Sequence, residues 1–238
     1  MKKVALLLCL FVALVTASFA APALTVDDVL AKLQSQQTMV KDFSADIETS
    51  TKMTDARDTF LLNGKIWSKG PEKAKIILYT PKPQTTITNG KKLLMIDSQG
   101  EKTVMDVPPV QGLDAAANNQ GRIDFSRFSD LFNIELKPSK IAGTIKLFCL
   151  PKAGNIIKGK TEFVIDTNLW VPIKMTTYNE KNKFMANVII KYDQFDGVAV
   201  PVSIVSSFVV PTGKAVMEME FSNVKINQGI SDSEFAID

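Results

Sequence analysis

The chain has no histidine among its 238 residues. That removes Ser-His-Asp and Cys-His nucleophile systems, His-ligated zinc sites and the usual proton shuttle near pH 7. Cysteine is scarce too, with only Cys9 and Cys149. Charge of one sign is also lacking: 28 Lys and Arg stand against 25 Asp and Glu, a net +3 with no basic stripe for nucleic acid. No long apolar run follows Ala20, so no membrane-spanning helix is expected beyond the N-terminus.

The N-terminus itself is apolar. Lys2 and Lys3 precede the run from Val4 to Val15, and Ser18-Phe19-Ala20 supplies a small-x-small cleavage site. This is the pattern of a secretory signal peptide over residues 1–20, and a single exported domain is expected over 21–238. Cys9 follows Leu6-Leu7-Leu8 and not the small residues a lipid-attachment site needs, so it is read as a passenger. Cys149 is then the one remaining thiol, which leaves no intramolecular disulfide. Stability must come from the core.

Thr25-Val26-Asp27-Asp28 has the form of a capping box, and Val26, Val29, Leu30 and Leu33 recur at helical spacing after it. The period changes at Phe43, where Phe43, Ala45 and Ile47 alternate with polar residues. Strand patterns follow at 60–69, 74–80, 85–88, 91–97 and 102–107, separated by turn dipeptides such as Asn89-Gly90 and Gln99-Gly100. Residues 108–121 read as a polar loop. Phe125, Phe128, Leu131 and Phe132 share a helical face in a helix expected to end before Pro138. Strands resume at 144–150, 161–166, 171–178, 184–192, 200–210 and 214–226. Connections this short suit antiparallel neighbours. The expected fold is α+β and mainly β, a strongly curved antiparallel half-barrel (an unclosed β-barrel) of about ten or eleven strands under two or three helices.

Apparent catalytic motifs fail on context. Gly154-Asn155-Ile156-Ile157-Lys158-Gly159-Lys160-Thr161 matches the phosphate-binding P-loop in form, but a strand pattern follows where the chemistry needs a helix. Ser222-Asn223-Val224-Lys225 has Ser-x-x-Lys spacing, which puts the two side chains on opposite faces of a strand. Cys149 sits among Leu147, Phe148 and Leu150 with no histidine to activate it, the setting of an inert thiol. No enzyme activity, metal or cofactor is expected. The apolar content is the unusual part: Ile76-Ile77-Leu78-Tyr79, Leu93-Leu94-Met95-Ile96 and Val188-Ile189-Ile190 are apolar on both strand faces, and methionines recur on strands. That distribution suits an ordinary sandwich core or a pliable cavity for a greasy ligand.

Segment order adds a constraint. Residues 24–39 lead into Val40-Lys41-Asp42-Phe43-Ser44-Ala45-Asp46. Then come Asn63-Gly64-Lys65-Ile66-Trp67-Ser68-Lys69-Gly70-Pro71, Ala74-Lys75-Ile76-Ile77-Leu78, Ile87-Thr88-Asn89-Gly90-Lys91-Lys92-Leu93 and Ile96-Asp97. Phe163-Val164-Ile165-Asp166, Trp170-Val171-Pro172 and Asn227-Gln228-Gly229-Ile230-Ser231-Asp232-Ser233-Glu234-Phe235 follow. Over 24–106 and 161–238 this order resembles the periplasmic outer-membrane lipoprotein carrier (LolA-like) family. The resemblance implies a hydrophobic cavity that shields the acyl chains of a lipoprotein, or another acylated lipid, between membranes. It places Ile47, Ala74, Ile76, Leu78, Met95, Met175, Met217 and Met219 on the cavity and Leu30, Leu33, Phe128, Leu131 and Phe132 on a helical lid. It also implies an inner-membrane exporter and an outer-membrane acceptor as partners, for a soluble, monomeric periplasmic protein that binds no nucleic acid. A lipid- or lipoprotein-sensing regulatory module on the same scaffold is the alternative. The family holds its lid with an arginine before the proline that Pro71 matches. Here Gly70 stands there after Lys69, which makes Lys69 the candidate for lid control.

Overall fold

A computed structural model describes residues 24–54, 59–106, 125–153, 158–211 and 213–237. The expected signal peptide, the polar segment 108–121 and residues 154–157 of the P-loop match lie outside the described residues. Helix α1 (Val26–Thr38) starts as its capping box demands: the Asp28 N–H donates to Thr25 Oγ1, and the Asp28 carboxylate accepts from the Thr25 N–H at 3.0 Å. Val29, Leu30 and Leu33 form its buried stripe.

Among the described residues thirteen strands follow. They are β1 (Asp42–Met53), β2 (Thr59–Lys69), β3 (Lys73–Thr80), β4 (Gln84–Asn89), β5 (Lys92–Ile96), β6 (Lys102–Asp106), β7 (Phe132–Pro138), β8 (Thr144–Pro151), β9 (Thr161–Asp166), β10 (Val171–Tyr178), β11 (Phe184–Phe195), β12 (Val198–Val210) and β13 (Gly213–Ile226). A 3-10 turn, Phe125–Arg127, runs into the four-residue helix α2 (Phe128–Leu131), and a second 3-10 turn, Asp232–Phe235, follows β13.

All thirteen strands form one sheet in the order β6-β5-β4-β3-β2-β1-β13-β12-β11-β10-β9-β8-β7. Two meanders, β1–β6 and β7–β13, join where β1 pairs antiparallel with β13. The edges β6 and β7 do not pair with each other, so the sheet is an unclosed barrel. A twisted sheet this wide must curl, which gives it a concave and a convex face. The expected architecture is therefore present, with thirteen strands in place of ten or eleven. β7 is one source of the difference, because the helix expected through Phe132 stops at Leu131. Phe132, Ile134 and Leu136 alternate with Asn133, Glu135 and Lys137, and that period of two makes 132–138 an edge strand.

The C-terminal segment closes a small core on the convex face. Phe235, 1% exposed, packs with Ile87 and Leu94, and Trp67, Ile96, Ile230 and Ile237 surround them. The buried Asp42 carboxylate accepts from the Gln228 N–H at 2.7 Å and the Gly229 N–H at 2.9 Å. Lys69 and Lys73 both grip Asp232, at 2.7 and 3.2 Å. Those lysines hold the Asp232 carboxyl below the usual carboxylate range through hydrogen bonds and charge.

Candidate functional site

Residues opposite each other in an antiparallel ladder point to the same face, so the register traces the concave surface. One row runs Met95–Thr86–Ile76–Ile66–Ala45 across β5 to β1. The next holds Leu78, Gly64, Ile47 and Phe221. A third holds Leu62, Thr49, Met219, Ile204 and Ile190. A fourth crosses most of the sheet as Phe60, Thr51, Met217, Ser206, Val188, Met175, Phe163, Leu147 and Leu136. Ala74 stands opposite Ser68 on the same face. The expected cavity residues Ile47, Ala74, Ile76, Leu78, Met95, Met175, Met217 and Met219 thus share one face, although seven strands separate the outermost.

Coverage of that face is uneven. Over β7–β9 it is closed: Val29, Leu30 and Leu33 of α1 pack with Phe125, Phe128, Phe132, Leu147, Cys149, Phe163 and Ile165. Phe128 sits at the centre of this aromatic cluster, with ring centroids 4.7 Å from Phe125, 5.2 Å from Phe132 and 5.5 Å from Phe163. Leu131 packs half-buried at its edge. Lys32 caps Trp170 from α1, its Nζ 4.1 Å from the ring centroid. Of the expected lid residues, Phe132 is corrected to the first residue of β7, because the chain turns from helix to strand one residue before it.

Toward the C-terminal end of α1 a pocket opens. Leu33, Gln37 and Val40 face Phe43, Phe221, Val200, Tyr192, Pro172 and Trp170 across it, around a volume of about 70 Å³. Tyr192 donates its hydroxyl to the Pro172 carbonyl at 3.0 Å, and burial raises its pKa, so it offers the pocket a neutral ring. The space holds several waters or part of an alkyl chain, well short of the ~300 Å³ of a full ligand site. Toward the β1–β2 and β12–β13 turns the concave face is less covered: Met53, Leu62, Leu78, Met217 and Met219 are half-buried and Phe60 is 59% exposed. The small pocket and an incompletely covered, largely apolar trough thus lie on the same concave face.

Trp170, Pro172 and Tyr192 were not picked out as cavity residues from the sequence. Register shifts at Pro172/Lys174 and Lys191/Tyr192 break simple alternation there. Lys69 is corrected as well: it lies on the convex parity with Trp67, and its Nζ donates to the Ile230 carbonyl at 2.8 Å in addition to pairing with Asp232. It anchors the C-terminal segment on the side away from α1, so it does not control a lid.

The Cys149 thiol, buried on the closed part of the concave face, is pushed up to about 12 by desolvation and carries no thiolate at neutral pH. Among the described residues no group of His, Cys, Asp or Glu side chains is placed to hold a metal ion. Thr161 of the P-loop match is the first residue of strand β9, where that chemistry needs a helix. No described helix is long and apolar enough to cross a membrane.

No protein-family model and no curated protein matches the chain. Solved structures do. A LolA superfamily protein from Nitrosomonas europaea superposes with a TM-score of 0.64 at 16% identity, over 90% of this chain and 99% of its own. The fold is LolA-like. A putative outer membrane lipoprotein-sorting protein domain from Vibrio parahaemolyticus matches with a TM-score of 0.64 at 15% identity, covering 87% of this chain and 95% of that domain. A DUF1329 family protein from Desulfovibrio piger gives 0.67 at 13% identity, covering 88% and 95%. The LolA-like scaffold is thus kept over nearly the whole chain while most side chains differ.

Proposed function

We propose that this protein is a periplasmic carrier that shields the acyl chains of a lipoprotein, or of another acylated lipid, during transfer from the inner to the outer membrane. The observation that carries the reading is the concave face itself. A closed aromatic core under α1, a small apolar pocket and a half-buried trough bearing Met217 and Met219 lie on the same face, interrupted by Thr49, Thr51 and Ser206. An acyl chain in water costs ~0.8 kcal/mol per exposed methylene, so even partial burial along such a trough offsets many kcal/mol. Methionine side chains re-pack at little cost, which suits loading and release better than a rigid fit. The LolA-like fold, shared with the putative outer membrane lipoprotein-sorting protein domain from Vibrio parahaemolyticus, supports the cargo class.

The test is transfer. Inner-membrane vesicles carrying a labelled lipoprotein are incubated with the protein and pelleted. A carrier brings label into the supernatant in proportion to the protein added. Label that stays entirely with the pellet, while the protein still binds a fluorescent acyl probe, contradicts the carrier role and favours the sensing module.

A further inference from the structure

The end of the sheet bearing the β1–β2, β10–β11 and β12–β13 turns is both apolar and basic. Phe60 and Leu61 are 59% and 61% exposed, and Val209, Met185 and Phe184 are 41%, 39% and 38% exposed. Val209, Met185 and Phe184 lie on the neighbouring strands β12 and β11, and Phe60 and Leu61 lie on β2 with β1 and β13 in between. Met53 is opposite Ala215, Ala215 opposite Phe208, and Phe208 opposite Ala186, so the hairpins end level in a single line. Exposed Lys52, Lys181, Lys183 and Lys214 flank them, with Lys82 on the neighbouring β3–β4 turn and Glu180 as the acid among these described positions.

Parity divides the apolar side chains. Phe60 and Phe208 belong to the concave rows, whereas Leu61, Met185 and Val209 point to the convex side. The trough therefore runs out to this rim, and further apolar side chains stand behind it on the convex side. Protruding apolar groups beside lysines suit a bilayer interface, where rings and alkyl groups enter the acyl boundary and ammonium groups stay with lipid phosphates.

We propose that this strand-end rim seats on an anionic lipid surface, setting the mouth of the concave face against the bilayer. An acyl chain then passes between bilayer and trough without crossing water. The passage of cargo rests on the carrier reading; the seating does not.

The experiment is co-sedimentation of the purified protein with phosphatidylcholine vesicles, with and without a one-third share of phosphatidylglycerol. The protein binds the phosphatidylglycerol vesicles, and raising salt from ~0.1 M to ~0.5 M weakens binding on the order of tenfold. The double substitution Leu61→Ser, Met185→Ser weakens vesicle binding at least about tenfold by removing inserted apolar area. It leaves binding of a soluble fluorescent acyl probe unchanged, because both residues face away from the trough. The proposal is overturned if the variant binds vesicles as well as the parent, or if the parent binds neither vesicle. Binding only to native membranes, lost on protease treatment, overturns it in favour of a protein acceptor. Vesicle binding that responds to the substitutions in a protein that takes up no acyl probe upholds the rim and refutes the carrier reading alone.

Discussion

Leu78→Glu against Ile77→Glu tests which face of the sheet binds. The two residues are adjacent on β3 and point to opposite faces. Leu78 lies opposite Gly64 in the concave row, and Ile77 lies opposite Lys65 on the convex side. Both are half-buried, so a carboxylate at either position reaches water in the empty protein and the fold tolerates it at a cost of ~1–2 kcal/mol. Bound cargo changes the balance at position 78 only. There the charge must be desolvated or the chain must withdraw from its neighbourhood, and losing contact with three or four methylenes at ~0.8 kcal/mol each removes ~3 kcal/mol. That is about a hundredfold in dissociation constant. Titration with a fluorescent fatty acid should show that loss for Leu78→Glu, a similar one for Ile76→Glu, and parental affinity for Ile77→Glu. Urea unfolding followed by circular dichroism checks that each variant is folded. Equal losses at 77 and 78, or parental affinity in a folded Leu78→Glu, would refute the assignment of the concave face.

Three further predictions concern the scaffold. Phe235→Ala empties the centre of the convex core and should cost ~3–4 kcal/mol, read as a lowered urea midpoint; a change below ~1 kcal/mol would show that the C-terminal segment is dispensable. Cys149 should react with a thiol reagent at pH 8 no faster than the protein unfolds, since burial holds its pKa near about 12; immediate labelling of the native protein would contradict the closed core over β7–β9. The Asp232 carboxyl has its pKa depressed by Lys69 and Lys73, so its contribution to stability is present above its ordinary value of 3.8 and is lost as pH falls through the folded value. Asp232→Asn should therefore lower stability slightly through the neutral range, flatten the acid limb below about pH 4 and converge with the parent once the parent's carboxyl is protonated, whereas an unaltered acid limb would mean the lysine clamp is not formed in solution.

Much of the sheet was legible because each strand here has a short local signature. Asn89-Gly90 and Gln99-Gly100 mark the β4–β5 and β5–β6 turns, and Phe43, Ala45 and Ile47 announce the buried side of β1. In a meander every strand pairs with its chain neighbours, so turn positions nearly dictate the topology apart from the long-range β1–β13 pairing. Phe132 misled because it fits the helical face of Phe125 and Phe128 and also the alternation of Ile134 and Leu136. Tertiary packing chose the strand. The strands apolar on both sides are explained by the convex core for Leu94 and Ile96, which face Phe235, but not for Ile189, which is 42% exposed on the convex side. The pocket wall at Trp170, Pro172 and Tyr192 was hidden by register shifts, which move a side chain from one face to the other without a sequence mark. Lys69 was misplaced because parity within β2 and the docking of the C-terminal segment decide its partner, and neither can be read from its neighbours Ser68 and Gly70.

The central claim, that acyl chains lie along the concave face, is tested most directly by photocrosslinking with a fatty acid that carries a diazirine on its chain, followed by peptide mapping. The account predicts adducts on Leu78, Met217, Met219 and the pocket wall around Val200 and Phe221, all displaced by excess unlabelled fatty acid. Adducts confined to convex residues such as Ile77 and Ile189, or labelling that excess fatty acid does not displace, would contradict it.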